Sequence, residues 1–486
     1  MPDFQSRFEE LSRRVPIDEH NCAVKFDVTK CKNCTLCRRA CANTQTVMDY
    51  YHLSSTGDMP ICVHCGQCAS ACPFGAITEV NDVDKVKAAI QDPNKIVVFQ
   101  TAPAVRVGLG ESFGMDPGTF VEGKMVAALR SLGGDYVFDT DFGADLTIME
   151  EATELLHRLQ SEEIPIPQFT SCCPAWVEFA ETFYPELIPH LSSTKSPISI
   201  LSPVIKTWFA KKNNIDPKKI VNVCVTPCTA KKAEIRRPEF NSSSIYWDMP
   251  ELRDTDICIT TRELAAWIQE EGIDFSALED SEFDRAFGES SGGGKIFGNS
   301  GGVMEAAIRT AYHMFTGRPA PKDFIPFEPV RGLEGVKKAT VVFGHFVIHV
   351  AAISGLGNAR KFIDELVKNE DFENYSFIEV MACPGGCIGG GGQPKVKLPQ
   401  VKKVQEARIA SLYKSDEDTD VKSSWQNKKI DELYKEFLDE PLSETAEWIL
   451  HTYFSDKSDL LGKMKNLTPE TNPSSNRFKS VQDLNV

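Results

Sequence analysis

Long apolar runs are what this chain lacks most clearly. Nothing in it approaches the roughly 18 consecutive apolar residues of a membrane-spanning helix, so no segment is expected to cross a bilayer. The segment from Met1 to His20 is polar and charged and has no apolar stretch of the kind a secretory signal needs. Ser12-Arg13-Arg14 therefore does not make a twin-arginine leader, and a cytoplasmic location is expected. Positive charge is also short. Lys and Arg number 53 against 69 Asp and Glu, a formal net charge of −16, which argues against non-specific nucleic-acid binding. Dinucleotide fingerprints are missing too, because Gly292-Gly293-Gly294 and Gly301-Gly302 lack the strand–turn–helix spacing of such a site.

Cysteine, by contrast, is plentiful, with 16 among 486 residues. An even number could mean disulfides, but most of these fall in Cys-x-x-Cys runs or adjacent pairs, the pattern of metal sites rather than of secreted staples. Apolar residues make up 42% of the chain, enough to bury a sizeable core.

Three zones follow from the pattern. Residues 1–83 hold more than half of the cysteines among short turn-rich connections. Residues 84–455 alternate strand-length runs rich in β-branched residues with helical patterns. The runs are Lys95–Gln100, Asp135–Phe138, Lys219–Val225, Thr340–Phe343 and Ser376–Met381; the helical patterns include Leu146–Leu159, Thr261–Glu271 and Ala359–Val367. Such alternation predicts an α/β fold with largely parallel sheets. Cys228 and Cys383 each come just after an expected strand, where ligand sites of open α/β sheets gather. Residues 456–486 are polar and read as a tail.

The first zone carries Cys31-x2-Cys34-x2-Cys37-x3-Cys41 and Cys62-x2-Cys65-x2-Cys68-x3-Cys72-Pro73. This is the two-cluster ferredoxin spacing, in which the fourth cysteine of each run ligates the other cube. Cys31, Cys34, Cys37 and Cys72 are thus expected to hold one [4Fe–4S] cluster, and Cys62, Cys65, Cys68 and Cys41 the second. Zinc sites usually show two separated Cys-x-x-Cys pairs instead. Ala42 stands where a proline commonly follows, without touching ligation. Two such clusters form an electron relay, so the rest of the chain must use the electrons.

Setting aside Cys22, Cys224 and Cys258, five cysteines remain, in three motifs: Cys172-Cys173-Pro174 within FTSCCPAW, Thr226-Pro227-Cys228 followed by Lys231, and Glu379-Val380-Met381-Ala382-Cys383-Pro384-Gly385-Gly386-Cys387 followed by Ile388, Gly389–Gly392, Gln393 and Pro394. Four of the five could hold a third cluster, leaving one thiol over. The glycine run permits positive φ and close backbone approach to a bulky group.

With these motifs the chain resembles the [FeFe]-hydrogenase family from about His20 to about Phe454, including FGNSGGVME from Phe297 and the His451–Phe454 segment. The resemblance implies a ferredoxin-like domain binding two [4Fe–4S] clusters, followed by a two-lobed α/β domain. That second domain would hold an H-cluster, a [4Fe–4S] cube joined to a diiron unit bearing CO, cyanide and a dithiolate bridge. It implies that Cys173, Cys228, Cys383 and Cys387 hold the cube, with Cys387 bridging to the diiron unit, and that Cys172 relays protons. Lys231, Ser196 and Pro197 would flank the cyanides, with Thr226, Pro227 and Met381 beside the cofactor. A proton path would run through Cys172, Glu151, Ser192, Glu154 and Arg158. Glu151 and Glu154 are spaced i,i+3 and Arg158 lies four further on, so one helical face carries all three; spacing alone would also fit an exposed ion pair.

The resemblance further implies reversible formation of H2 from protons, with ferredoxin or flavodoxin as electron partner. Lys30, Lys32, Arg38 and Arg39 around the first cysteine run form a candidate docking patch. Alternatives on the same scaffold are an iron–sulfur assembly or adaptor protein without the diiron unit, and a hydrogen sensor, which would be expected to carry an appended signalling domain. Thr226 where a methionine is usual, Ala175 for a glycine and Ile198 for a glutamine mark a divergent subgroup.

Overall fold

Two open sheets and a small ferredoxin-like hairpin organise the chain. The computed structural model describes residues 14–161, 164–321, 324–325, 328–329, 335–369 and 371–462. Ser12 and Arg13 and the tail from 463 lie outside the described residues.

At the N-terminus β1 (Val24–Phe26) pairs antiparallel with β2 (Ile77–Glu79). Between them the doubled cysteine run repeats in space. Asn33 and Thr35 of the first loop have positive φ, as do His64 and Gly66 at the same places in the second. Each left-handed residue at Thr35 and Gly66 starts a short helix, Leu36–Arg39 and Gln67–Ala71. Matching amides also turn inward, Asn33 N–H to Cys31 Sγ at 3.4 Å and His64 N–H to Cys62 Sγ at 3.3 Å.

The remaining strands in chain order are β3 (Ile96–Thr101), β4 (Tyr136–Asp139), β5 (Gln168–Phe169), β6 (Ile220–Thr226), β7 (Ile257–Thr260), β8 (Glu328–Pro329), β9 (Val336–Phe343), β10 (Phe346–Ser354) and β11 (Phe377–Met381). One sheet has the order β4-β3-β6-β7 and is wholly parallel. Val97 and Phe99 of β3 bury on one face and Val98 on the other, which is why the strand reads as an unbroken apolar run. The second sheet has the order β5-β11-β10-β9-β8, parallel from β5 to β10 and antiparallel beyond. The parallel α/β expectation holds, with an antiparallel edge; β7 and β10 were not singled out in the sequence.

The helix Thr140–Gln160 sits between the sheets, against the helices Pro197–Val204 and Gly302–Thr316. Asp139 caps its start, accepting from Asp141 N–H at 3.0 Å. A Cβ on Gly143 would come within 2.3 Å of the Pro197 carbonyl, so only glycine permits this helix crossing. The packed chain also runs past the expected start of the tail: Leu461 is fully buried, and Lys457 pairs with Glu178 and Glu181. Among the described residues no helix is long and apolar enough to cross a membrane.

Candidate metal centres and proton route

The cysteines of the N-terminal runs fall into two groups. Cys31, Cys34, Cys37 and Cys72 line one small cavity with Phe26, Lys32 and Phe74. Burial pushes up the thiols of Cys41 and Cys68, with Cys62 adding to both and Cys65 and Cys41 to Cys68. Cys72 of the second run thus stands with the first run's cysteines. Among the described residues no three His, Cys, Asp or Glu side chains converge as one bound ion would require.

The three later motifs meet between the lobes. Cys172 and Cys173 follow β5, Cys228 follows β6 and Cys383 follows β11, so the carboxyl ends of three parallel strands deliver them. All five remaining cysteines, including Cys387, line one cavity. Pro197, Thr226, Pro227, Lys231 and Met381 line it as well. The donor set and the cradle fit an iron–sulfur group. Gly386 has φ +98°, and a Cβ there would sit 2.5 Å from Ser300 N, while one on Gly390 would sit 2.3 Å from the Pro227 carbonyl. Burial pushes Cys228 up to about 12, and Cys383 and Cys172 well above the ordinary thiol range. Free thiols here are neutral, so loading metal must release protons.

Lys231 is buried, yet its ammonium is retained: burial opposes the charge, and the Glu234 carboxylate at 2.7 Å leads the interactions that offset it. Its Nζ donates to Ser196 Oγ at 2.6 Å and to the Cys172 carbonyl at 3.2 Å. Ser196 is not on the cavity wall. It stands behind Lys231, capping the helix Pro197–Val204, so its contact with the cavity runs through the lysine. Thr226 Oγ1 accepts from Cys228 N–H at 3.3 Å.

Away from the cavity a chain of polar groups leads outward. Burial first, and then Glu151, hold the Cys172 thiol up. Glu151 is fully buried with neither carboxyl oxygen in a direct hydrogen bond. Burial, then Glu154, raise it to about 8. Ser192 Oγ donates to Glu154 Oε2 at 2.7 Å, and Arg158 Nη2 donates to Glu154 Oε1 at 2.7 Å. Arg158 also reaches the carbonyls of Pro165, Pro189 and Leu191. Both members of the pair are buried, Glu154 at 8% and Arg158 at 4% exposure, so the exposed-pair reading of the spacing does not apply.

Other wall and neighbour residues had no role assigned to them from the sequence. Ala102, Pro103 and Ala104 after β3, and Phe297 and Gly298, line the cavity. Glu379 on β11 is buried, accepts from Gly301 N–H at 2.6 Å and Met304 N–H at 2.9 Å, and is raised to about 7, chiefly by burial. The docking patch needs one correction: Arg38 is buried and grips both oxygens of Asp49 at 2.8 and 2.6 Å. Lys30, Lys32 and Arg39 remain exposed.

Residues 95–391 match the family described as iron only hydrogenase large subunit, C-terminal domain, residues 402–457 the iron hydrogenase small subunit, and residues 58–78 a 4Fe-4S binding domain. The NADP-reducing hydrogenase subunit HndD of Solidesulfovibrio fructosivorans is 44% identical over 455 residues, covering 89% of this chain and 75% of that protein. The periplasmic [Fe] hydrogenase large subunit of Nitratidesulfovibrio vulgaris is 45% identical over 332 residues, 68% of this chain and 76% of the relative. Cytosolic iron-sulfur assembly component 3 of Bos taurus is more distant, 30% identical over 408 residues, 81% and 82% of the two chains. Among solved structures, apo [FeFe]-hydrogenase HydA1 from Chlamydomonas reinhardtii superposes with a TM-score of 0.69 at 40% identity, covering 78% of this chain and 99% of that one.

Proposed function

The chain belongs to the iron-only, or [FeFe]-, hydrogenase family, and on that premise we propose that it catalyses the reversible reaction of two protons and two electrons to H2 in the cytoplasm. Residues 1–83 act as the electron relay, with two [4Fe–4S] clusters on the eight N-terminal cysteines, and residues 84–455 as the catalytic domain. Ferredoxin or flavodoxin exchanges the electrons. When bound, the diiron unit supplies the redox centre at which protons and electrons combine.

Cys173, Cys228, Cys383 and Cys387 hold the adjoining cube, and Cys387 bridges. Lys231 presents a buried cation to the anionic ligands of the cofactor, held by Ser196 at 2.6 Å. Pro197, Thr226, Pro227 and Met381 pack against the cofactor and keep water out. Cys172 exchanges protons with Glu151, and Ser192, Glu154 and Arg158 carry them onward. The observation that carries this reading is the single cavity with one more cysteine than a cube can use, beside the only buried lysine on its wall. A cluster-assembly protein needs no spare thiol facing a buried carboxyl.

Infrared spectroscopy of the matured protein tests it. Bound CO and cyanide stretches, with H2 evolution from a reduced dye, are expected. Their absence after maturation with the authentic diiron cofactor would favour the assembly reading.

A further inference from the structure

Gln67 lies between Cys65 and Cys68 and opens the helix Gln67–Ala71, yet its side chain leaves the ferredoxin-like domain. Its Nε2 donates to Cys383 Sγ at 3.2 Å and to the Gly389 carbonyl at 3.0 Å. Both neighbours accept, so the amide orientation is determined: exchanging nitrogen and oxygen would set Oε1 against two acceptors. Backbone amides turn to sulfurs of this group as well, among them Ala382 N–H to Cys173 Sγ at 3.3 Å; Gln67 brings a side-chain amide from the other domain.

The ground around Gln67 is rigid. A Cβ on Gly66, whose φ is +68°, would lie 2.3 Å from Thr229 Oγ1, and one on Gly391 would lie 2.2 Å from the Cys65 carbonyl. Thr229 donates to the His64 carbonyl at 2.7 Å, and Ser70 to the Gly391 carbonyl at 3.2 Å. Loops of the two domains are thus pressed together on both sides of the glutamine, which holds the amide on the sulfur.

We infer that Gln67 is a positioning residue that raises the reduction potential of the cube held by Cys383, and so sets the driving force between it and the N-terminal cluster beside it. The inference rests on the proposed function, which makes Cys383 a cube ligand. Reduction adds negative charge to the cluster and its sulfurs, and a hydrogen bond to a ligand sulfur stabilises that charge; such bonds are among the protein's levers on cluster potential. An electron coming from the ferredoxin-like domain meets a cube that the same domain has made easier to reduce.

The full chain, loaded with all its clusters, is titrated redox-wise in the wild type and in Gln67→Leu, following the infrared CO and cyanide bands and the paramagnetic resonance of the cube. Gln67→Leu keeps the bulk and removes the donor. At a fixed poise its ratio of reduced to oxidised cube is expected to fall about tenfold, which is about 59 mV for a one-electron couple, and H2 production should fall more than uptake. If the Leu variant loses iron, Gln67→Glu replaces it: the shape is kept and the donor is lost, so its cube must also titrate below the wild type. A wild-type midpoint in a variant that keeps its bands overturns the inference and leaves the function standing. A wild type without CO and cyanide bands removes the function first, and the inference with it.

Discussion

Cys172 and Glu151 are the residues on which the proton route turns, and their burial gives each a definite prediction. A thiol can lose and regain a proton near neutrality once its surroundings permit, whereas a methyl group cannot. Positioned acid–base groups supply about 10²–10⁴-fold in rate, so Cys172→Ala should lose at least about 100-fold in H2 evolution. Iron content and infrared bands should persist, because four cysteines still complete the cube. Loss of iron would reverse the roles of Cys172 and Cys173. Glu151 titrates at about 8 in the folded protein against about 4.3 unfolded. A raised folded value means that its favourable contribution is fully present below the unfolded value and is lost as pH rises through the folded one. Glu151→Gln, neutral throughout, should therefore melt with the wild type near pH 4 and above it by pH 9, while losing activity at every pH. Thermal scans of both proteins across that range check the sign. Thr226 lines the cavity where the resemblance implies a methionine, and its hydroxyl accepts from Cys228 N–H, so Thr226→Met should shift the CO and cyanide bands and the ratio of production to uptake. Unchanged bands and ratio would take Thr226 out of contact with the cofactor.

At the scale of elements, five strands were legible and the crossings were not. Runs such as Lys219–Val225 announce a strand buried on both faces, and the cysteine spacing announces its clusters without help from the fold. The helix Thr140–Gln160 was recognised only from Leu146 on. Its first turns, Thr140 to Asp145, are buried on all sides, so no apolar stripe marks them. Glu150 and Glu151 show the same limit. The sequence places them side by side, but Glu150 binds Tyr434, the Leu442 amide and His451, clamping the C-terminal segment, while its neighbour faces Cys172. Which of two adjacent acids serves structure and which serves the site depends on partners nearly 300 residues away. Glu379 shows the same limit: it opens the third cysteine motif in the sequence but reads there as one charge within a strand, and only tertiary packing sets it over the start of the helix Gly302–Thr316. Removing it would leave the Gly301 and Met304 amides buried without an acceptor, at about 1–3 kcal/mol for each group. Glu379→Ala should therefore melt several degrees below the wild type and Glu379→Gln, which keeps an acceptor, in between. Equal melting of all three would mean that water replaces the cap at no cost.

For the whole molecule the question is where electrons enter. A net charge of −16 repels acidic carriers everywhere except where cations gather, and the outer N-terminal group lies at such a place. Cys34 is exposed, as are Lys30, Lys32 and Arg39, and Val28 and Phe74 add apolar surface at 63% and 47% exposure. Lys30 is partly offset by Asp27 at 3.2 Å, which leaves Lys32 and Arg39 as the free charges among them. Arg38, which the sequence places in the same run, belongs to the core through Asp49. Reversing it would break a buried pair, a loss of about 3–5 kcal/mol, and would report on folding instead of docking. The informative variant is Lys32→Glu with Arg39→Glu. It should raise the KM for an acidic ferredoxin several-fold at low salt, because complementary charge acts mainly on the rate of encounter. The difference should shrink toward 0.5 M salt, where the screening length is well below the span of the patch. Activity driven by a small neutral dye should stay near the wild-type level, since neither residue lines the catalytic cavity and both changes leave the cysteines in place. Equal KM values for the two proteins at low salt would move the entry point away from the outer cluster.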